Sequence, residues 1–408
     1  MRQYSYLNSA KKIIDVYDGR EPLSIFLKKQ FAANKKYGSK DRKKVTALCY
    51  AFYRLGKAMP GLSIEEKIIT GTFLCEHSSS EFLDFHKPEW NAVIEKPLSG
   101  KIDIAGADIG EVFPWKNELS VGIDQHSLCV SFFTQPDLFL RVRPGKKNDV
   151  FKKLQDAGLH YDTPDEDCIS LRNNTKLDDI IELNKDAVVQ DRNSQQVLNV
   201  LKYPVSGIRH PVSSIQHPVS SIQHPVSVWD CCAASGGKSL LAYDILNGKI
   251  ALTVSDIREN ILSNLKKRFS AAGIKNYKSF VADLQTPDLK FTLGAAEGQT
   301  SSFQLIICDA PCTGSGTWSR TPEQLYFFKE EMIAAYAGTQ QKIVSNAIPH
   351  LEKGGMFIYI TCSVFKKENE AVVNFIKEKF HLRLLQMELL KGYDKKADSM
   401  FTAAFIKE

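Results

Sequence analysis

From Val228 onward, short apolar runs keep ending in an acid or a small polar residue, and helix-patterned segments fall between them. Val228-Trp229 stops at Asp230, Ala251-Leu252-Thr253-Val254-Ser255 at Asp256, Ser279-Phe280-Val281-Ala282 at Asp283, and Phe303-Gln304-Leu305-Ile306-Ile307-Cys308 at Asp309. Met356-Phe357-Ile358-Tyr359-Ile360 leads into Thr361-Cys362-Ser363. Strands that are apolar on both faces belong to buried parallel sheets. Strands alternating with helices make βαβ units. The expected fold class is therefore α/β, with a mostly parallel, doubly wound sheet. Ligands of such sheets sit beyond the carboxyl ends of the strands, where Cys312 and Cys362 stand.

The rest of the chain has a different texture. Residues 1–125 carry helix stripes, among them Val45, Leu48, Cys49 and Phe52, then Ile64, Ile68, Ile69, Phe73 and Leu74. Residues 126–190 read as a small α+β module, with alternating runs at Phe139–Arg143 and Cys168–Arg172 around a short helix at Val150–Ala157. Three domains are expected: 1–125, 126–190 and 191–408. Within the last, His210-Pro211-Val212-Ser213-Ser214-Ile215-Gln216 is repeated at 217–223, with a truncated copy at 224–227 and a degenerate one at 203–209. Proline at every seventh residue disfavours helix, so 203–227 reads as a loop insertion without chemistry.

Hydrophobic residues make up 43% and charged residues 25% of the chain, an ordinary globular balance. No run is long enough to span a bilayer, and no signal-peptide core is visible. None of the nine cysteines forms a Cys-x-x-Cys pair, which argues against zinc and disulfides. The expectation is a cytoplasmic monomer without metal or membrane attachment. The net charge is +6, but ten Lys/Arg stand against one acid, Asp41, between Lys28 and Lys57. Phe31, Tyr37, Tyr50, Phe52 and Tyr53 are interleaved. Basic stripes with aromatics mark nucleic-acid surfaces, and Lys40, Arg42, Lys43, Lys44 and Arg54, with Arg320, are the candidate RNA contacts.

The turn after Asp230 is the candidate cofactor loop: Cys231-Cys232-Ala233-Ala234-Ser235-Gly236-Gly237-Lys238-Ser239. Small residues let a ligand approach the backbone, and the following helix offers free amides. The glycine a phosphate-binding P-loop needs is missing, since Cys occupies position 232. Asp256 follows Gly237 by roughly 20 residues, where a carboxylate accepts ribose hydroxyls. Asp283 could meet an adenine amino group. The Gly-x-Gly-x-x-Gly fingerprint of dinucleotide sites is absent, so S-adenosylmethionine (SAM) fits better.

The series Cys232–Lys238, Asp256, Asp283, Asp309-Ala310-Pro311-Cys312 and Thr361-Cys362-Ser363 resembles the RNA cytosine-C5 methyltransferases of the RsmB/NOP2/Sun family. Val189–Gln195 and Asp398-Ser399-Met400-Phe401 are similar to the family's entry and terminal segments. Asp41–Arg54 is similar to the NusB-like RNA-binding domain of its ribosomal-RNA members. Ser235 stands where the family has Pro, and Arg320-Thr321-Pro322-Glu323 where it has Arg-His-Pro-Asp. The resemblance implies a Rossmann-like SAM-dependent methyltransferase domain, a helical NusB-like domain and an RRM-like module between them. It implies 5-methylcytosine formation in 16S ribosomal RNA, with Cys362 as nucleophile, Cys312 aiding product release and Asp309 holding the cytosine edge. Cys232, Ala233, Ala234, Ser235, Gly236, Gly237, Lys238, Asp256, Asp283 and Asp309 would bind the cofactor. The alternatives are a tRNA cytosine-C5 methyltransferase, or a non-catalytic RNA-binding assembly factor on a vestigial SAM fold. Both cysteines together argue against DNA cytosine methylation, where the Pro-Cys thiol attacks alone. Cys231 and Cys308 are read as buried packing residues.

Overall fold

A computed structural model of the chain describes residues 2–34, 37–202, 224–286 and 302–408. It forms two compact units: Met1–Pro136 with Thr317–Glu330, and Asp137–Gly316 with Glu331–Glu408. This division differs from the three parts expected. The 137–190 module groups with the large sheet, and a short stretch from between two strands of that sheet belongs to the helical unit.

The helical unit is built around the helix Ser39–Arg54, whose Val45, Leu48, Cys49 and Phe52 are buried as their spacing predicts. Ile64–Cys75 packs beside it. That second helix starts in a capping box, in which Ser63 Oγ accepts the Glu66 amide and Glu66 Oε2 accepts the Ser63 amide. Its far end is closed by Lys101, which is fully buried and donates to the carbonyls of Phe73, Leu74 and Glu76. The helix Pro322–Phe327 packs on Ser39–Arg54, with the Tyr326 ring 5.3 Å from those of Phe52 and Tyr53.

The larger unit holds two sheets. The smaller comprises β1 (Leu138–Val142), β2 (Asp162–Asp165), β3 (Cys168–Leu171) and β4 (Ala187–Val189), antiparallel in the order β2-β3-β1-β4. The main sheet contains β5 (Val226–Asp230), β6 (Ile250–Asp256), β7 (Tyr277–Val281), β8 (Phe303–Asp309), β9 (Leu351–Thr361), β10 (Arg383–Leu390) and β11 (Met400–Ile406). Its order is β10-β11-β9-β8-β5-β6-β7. The strands from β5 to β9 pair in parallel; β11 runs antiparallel to β9 and to β10. The chain winds from β5 out to β7, then returns to the other side of β5 with β8. The switch point lies between β5 and β8, where ligands of such sheets bind.

The expected repeat loop falls largely on residues 203–223, which lie outside the described residues. Its truncated last copy runs into β5 at Val226. No helix among the described residues is long and apolar enough to cross a membrane.

Candidate active site

The loop after β5 makes a tight turn. Ala234 and Gly236 both take left-handed backbone conformations, at φ 45° and 84°. A side chain on Gly236 would put its Cβ 2.6 Å from the Phe269 ring, so this glycine is required by both conformation and space. Asp256 Oδ2 accepts the Ala234 amide at 2.9 Å, tying the loop to the end of β6. Ser235 Oγ is 3.3 Å from Arg268 Nη1, from which it accepts; the loop thus closes without the family's proline. Lys238, at the start of the helix Gly237–Ile245, donates to Asp309 Oδ2 at 3.0 Å. Burial works against the Lys238 charge, but the attraction and hydrogen bond of Asp309 outweigh it and raise the ammonium above its ordinary value.

A cavity of about 570 Å³ opens over these strand ends. Cys232, Ala234, Asp256, Asp283, Asp309 and Cys312 line it, together with Arg258 and Tyr336. Of the expected cofactor residues, Ala233, Ser235, Gly236, Gly237 and Lys238 support the loop without being among the cavity-lining residues. Asp256 is already engaged: Arg258 donates Nε to Oδ1 at 3.0 Å and Nη2 to Oδ2 at 3.3 Å. Burial alone would raise the Asp256 carboxyl, yet these bonds and two backbone amides bring it below its ordinary value. Asp283 turns one oxygen to its own loop, accepting the Gln285 amide at 2.9 Å.

The two thiols expected to act together are adjacent. Strand register explains this: Asp309 in β8 pairs with Ile360 in β9, and Ala310 donates to the Ile360 carbonyl at 2.9 Å. The chain ends that follow bring Cys312 Sγ to 3.3 Å from Cys362 Sγ. The hydrogen bond to Cys362, and then burial, push the Cys312 thiol well above its ordinary value.

What holds the pair was not legible in the sequence. Glu368, fully buried, accepts the Thr313 amide at 2.8 Å and the Thr313 hydroxyl at 2.6 Å, and it accepts the Ser363 hydroxyl as well. It therefore fastens the residue after Cys312 to the residue after Cys362. Asn369 brackets Cys362, accepting from Thr361 Oγ1 at 2.6 Å and donating to the Ser363 carbonyl at 2.9 Å. Gly316 donates to the Cys362 carbonyl at 2.8 Å and accepts from the Ser399 amide at 2.9 Å. The expected entry and terminal segments also meet: Asn193 Nδ2 donates to the Asp398 carbonyl at 2.7 Å. As sequence, Glu368-Asn369 looks like the ordinary polar start of the helix Glu370–Phe380. Tyr336 and Arg258 carried no motif at all.

The RNA candidates divide. Lys40, Arg42 and Lys43 are exposed on the helix Ser39–Arg54, while Lys44 pairs with Glu76 at 3.1 Å. Lys35 and Lys36 lie outside the described residues. Arg54 is corrected: it is buried, donating to the carbonyls of Phe132 and Thr134 and to Gln135 Oε1. Its guanidinium closes the end of the helix Gln125–Ser131 and does not face solvent. Phe31, Phe52 and Tyr53 are likewise core residues and offer no stacking surface. Arg320 is partly buried within Thr317–Glu330.

Residues 221–405 match the family profile described as "16S rRNA methyltransferase RsmB/F". A probable ribosomal RNA small subunit methyltransferase B of Bacillus subtilis is 25% identical over 256 residues, covering 62% of this chain and 52% of that protein. A ribosomal RNA small subunit methyltransferase F of Escherichia coli is 31% identical over 154 residues, covering 38% of this chain and 30% of that protein. The chain thus spans about half, or less, of the length of these relatives. Among solved structures, PH0851 matches with a TM-score of 0.68 at 17% identity, covering 98% of this chain and 97% of its own. A methyltransferase homolog protein from Pyrococcus horikoshii matches with a TM-score of 0.54 at 19% identity, over 71% of this chain and 92% of its own. At such identities the likeness is one of fold. The loop, the strand-end acids and the paired thiols all fall within residues 221–405, the part of the chain that is similar to the RsmB/F methyltransferase family.

Proposed function

We propose that the chain is a SAM-dependent RNA methyltransferase that forms 5-methylcytosine in 16S ribosomal RNA. The observation that carries this reading is the 3.3 Å approach of Cys312 and Cys362 beside Asp309. A packing role needs no such pairing of two half-buried thiols next to a cavity. The cavity suits SAM by its chemistry: a backbone loop made tight by Gly236, acids at successive strand ends for a ribose and an amino group, and room of about 570 Å³. SAM, when bound there, supplies an electrophilic methyl group. Cys232–Lys238, Asp256, Asp283 and Asp309 would hold it.

Cytosine C5 is a poor nucleophile. The Cys362 thiolate adds to C6, forming an S–C6 bond and moving the ring electrons toward C5 and N3. Asp309, steadied by Lys238, accepts from the N4 amino group and holds the N3/N4 edge of the ring in place. C5 then takes the methyl group. Loss of the C5 proton re-forms the C5–C6 double bond and expels the Cys362 sulfur. Once Cys362 is bonded to C6, the contact that raises the Cys312 thiol is gone, and Cys312, acting as a thiolate, takes the C5 proton in this elimination.

The test is transfer of label from SAM to ribosomal RNA and to tRNA. Wild type should label small-subunit RNA, Cys362→Ala should not, and Cys312→Ala should accumulate an RNA adduct stable to denaturation. Equal inactivity of wild type and Cys362→Ala, with RNA binding intact, would sink the reading. Label on tRNA alone would move the substrate.

A further inference from the structure

Cys231 and Cys308 read in the sequence as packing residues and Cys232 as part of the cofactor loop. Their sulfurs all lie within 4.8 Å of one another. The reason is register. Asp230 in β5 pairs with Ile307 in β8, and Cys231 donates its amide to the Ile307 carbonyl at 2.9 Å. The next residues of the two strands are therefore neighbours at the switch point, and Cys232 folds back onto them as the loop turns. Cys231 and Cys308 are buried, and Cys232 is half-buried.

We propose that Cys231, Cys232 and Cys308 form a binding site for one thiophilic d10 cation, of the class of Cu⁺, Cd²⁺ or Zn²⁺. Three sulfurs each about 2.3 Å from one ion stand about 4 Å apart in a trigonal arrangement. The observed cluster meets that spacing with small side-chain adjustments. An all-sulfur donor set selects soft cations over Mg²⁺ or Ca²⁺. There is also a way in. Cys231 and Cys232 line the 570 Å³ cavity, so an ion can reach the sulfurs from that side. Spacing rules could not find this site, because its ligands come from two strands distant in sequence.

The proposal does not depend on the methyl-transfer reading. The experiment is titration of the reduced protein with Cd²⁺, followed by its thiolate-to-cadmium charge-transfer band and by cadmium NMR. One equivalent should bind, with an NMR shift typical of three thiolates. Cys308→Ser and Cys231→Ser should each weaken binding by more than about 100-fold, beyond the cost of a lost outer-shell partner. The double variant Cys312→Ala, Cys362→Ala should keep the band, because the catalytic pair is a separate group of thiols. Absence of a stoichiometric band would overturn the proposal, as would a band that survives Cys308→Ser or vanishes in the double variant. Should a serine variant fail to fold, the NMR shift of the wild type still decides the ligand set. Methyl transfer by the metal-free protein is read separately and bears only on the catalytic reading.

Discussion

Glu368 Oε1 accepts the Thr313 amide at 2.8 Å while its Oε2 accepts the Thr313 hydroxyl at 2.6 Å, so one buried carboxylate takes both donors of one residue. Through the Ser363 hydroxyl it also reaches the other thiol-bearing loop. Glu368→Ala leaves these donors without an acceptor and should cost about 2–4 kcal/mol, the usual penalty for several unsatisfied buried groups. Glu368→Gln keeps one acceptor and should fall between. Adduct formation should drop in the same order, Glu above Gln above Ala. Thermal melts and the RNA adduct assay check both; an Ala variant with wild-type melting and adduct yield would exclude this role.

The same carboxyl predicts a pH dependence. Burial raises Glu368 above its ordinary 4.5 despite the hydrogen bonds it accepts. A group raised on folding contributes stability that is complete below the unfolded value and is lost as pH rises through the folded one. The stability difference between wild type and Glu368→Gln should therefore favour wild type most below pH 4.5 and shrink as pH rises. Denaturation midpoints across that range measure it, and a difference that grows with pH would contradict the sign.

Lys238 and Asp309 form a charge pair at the candidate site. Their side chains are 12% and 28% exposed. Lys238→Met leaves Asp309 without its cation and should destabilise by about 3 kcal/mol, as for the breaking of largely buried pairs. Methyl transfer should fall at least about tenfold, with RNA binding little changed, because the loss lies in how Asp309 is held. A variant that loses RNA binding but keeps single-turnover methylation would assign Lys238 to the substrate instead.

Arg258 competes with the proposed ribose for the Asp256 carboxylate oxygens. Asp256→Ala should weaken SAM binding by about tenfold or more, the worth of a charge-assisted hydrogen bond. Arg258→Ala frees the carboxylate and should leave SAM binding equal or tighter. Calorimetric titration distinguishes the two; weaker binding in Arg258→Ala would make the guanidinium a ligand contact.

Gly316 leaves no room for a side chain. A Cβ there would stand 2.1 Å from the Ser399 carbonyl oxygen and 2.9 Å from that of Cys362. Gly316→Ala must push one backbone segment away and should destabilise by about 1–3 kcal/mol, as overpacking does. Because one of those segments carries Cys362, adduct yield should fall further than stability does. Equal yield per folded molecule would show that the thiol tolerates the shift.

Sequence alone determined the periodic features. Apolar runs ending in Asp256 and Asp309 specify strands and their ends, because burial on both faces of a parallel sheet demands such runs; the run before Asp283 also forms a strand, β7, though at the sheet edge it is only half-buried. Helix stripes at Val45–Phe52 and the small-residue turn at Cys232–Gly237 are local in the same sense. The antiparallel edge of β10 and β11 was not legible, since a strand's direction depends on the partner it finds. Nor was the fate of Arg54, whose charge is met by carbonyls from a distant helix end. Tertiary structure alone decided which thiols meet. Two rungs of register, Asp309 against Ile360 and Asp230 against Ile307, set Cys312 beside Cys362 and Cys231 beside Cys308. Register is a long-range property, settled by packing of the whole sheet, and no spacing along the chain encodes it.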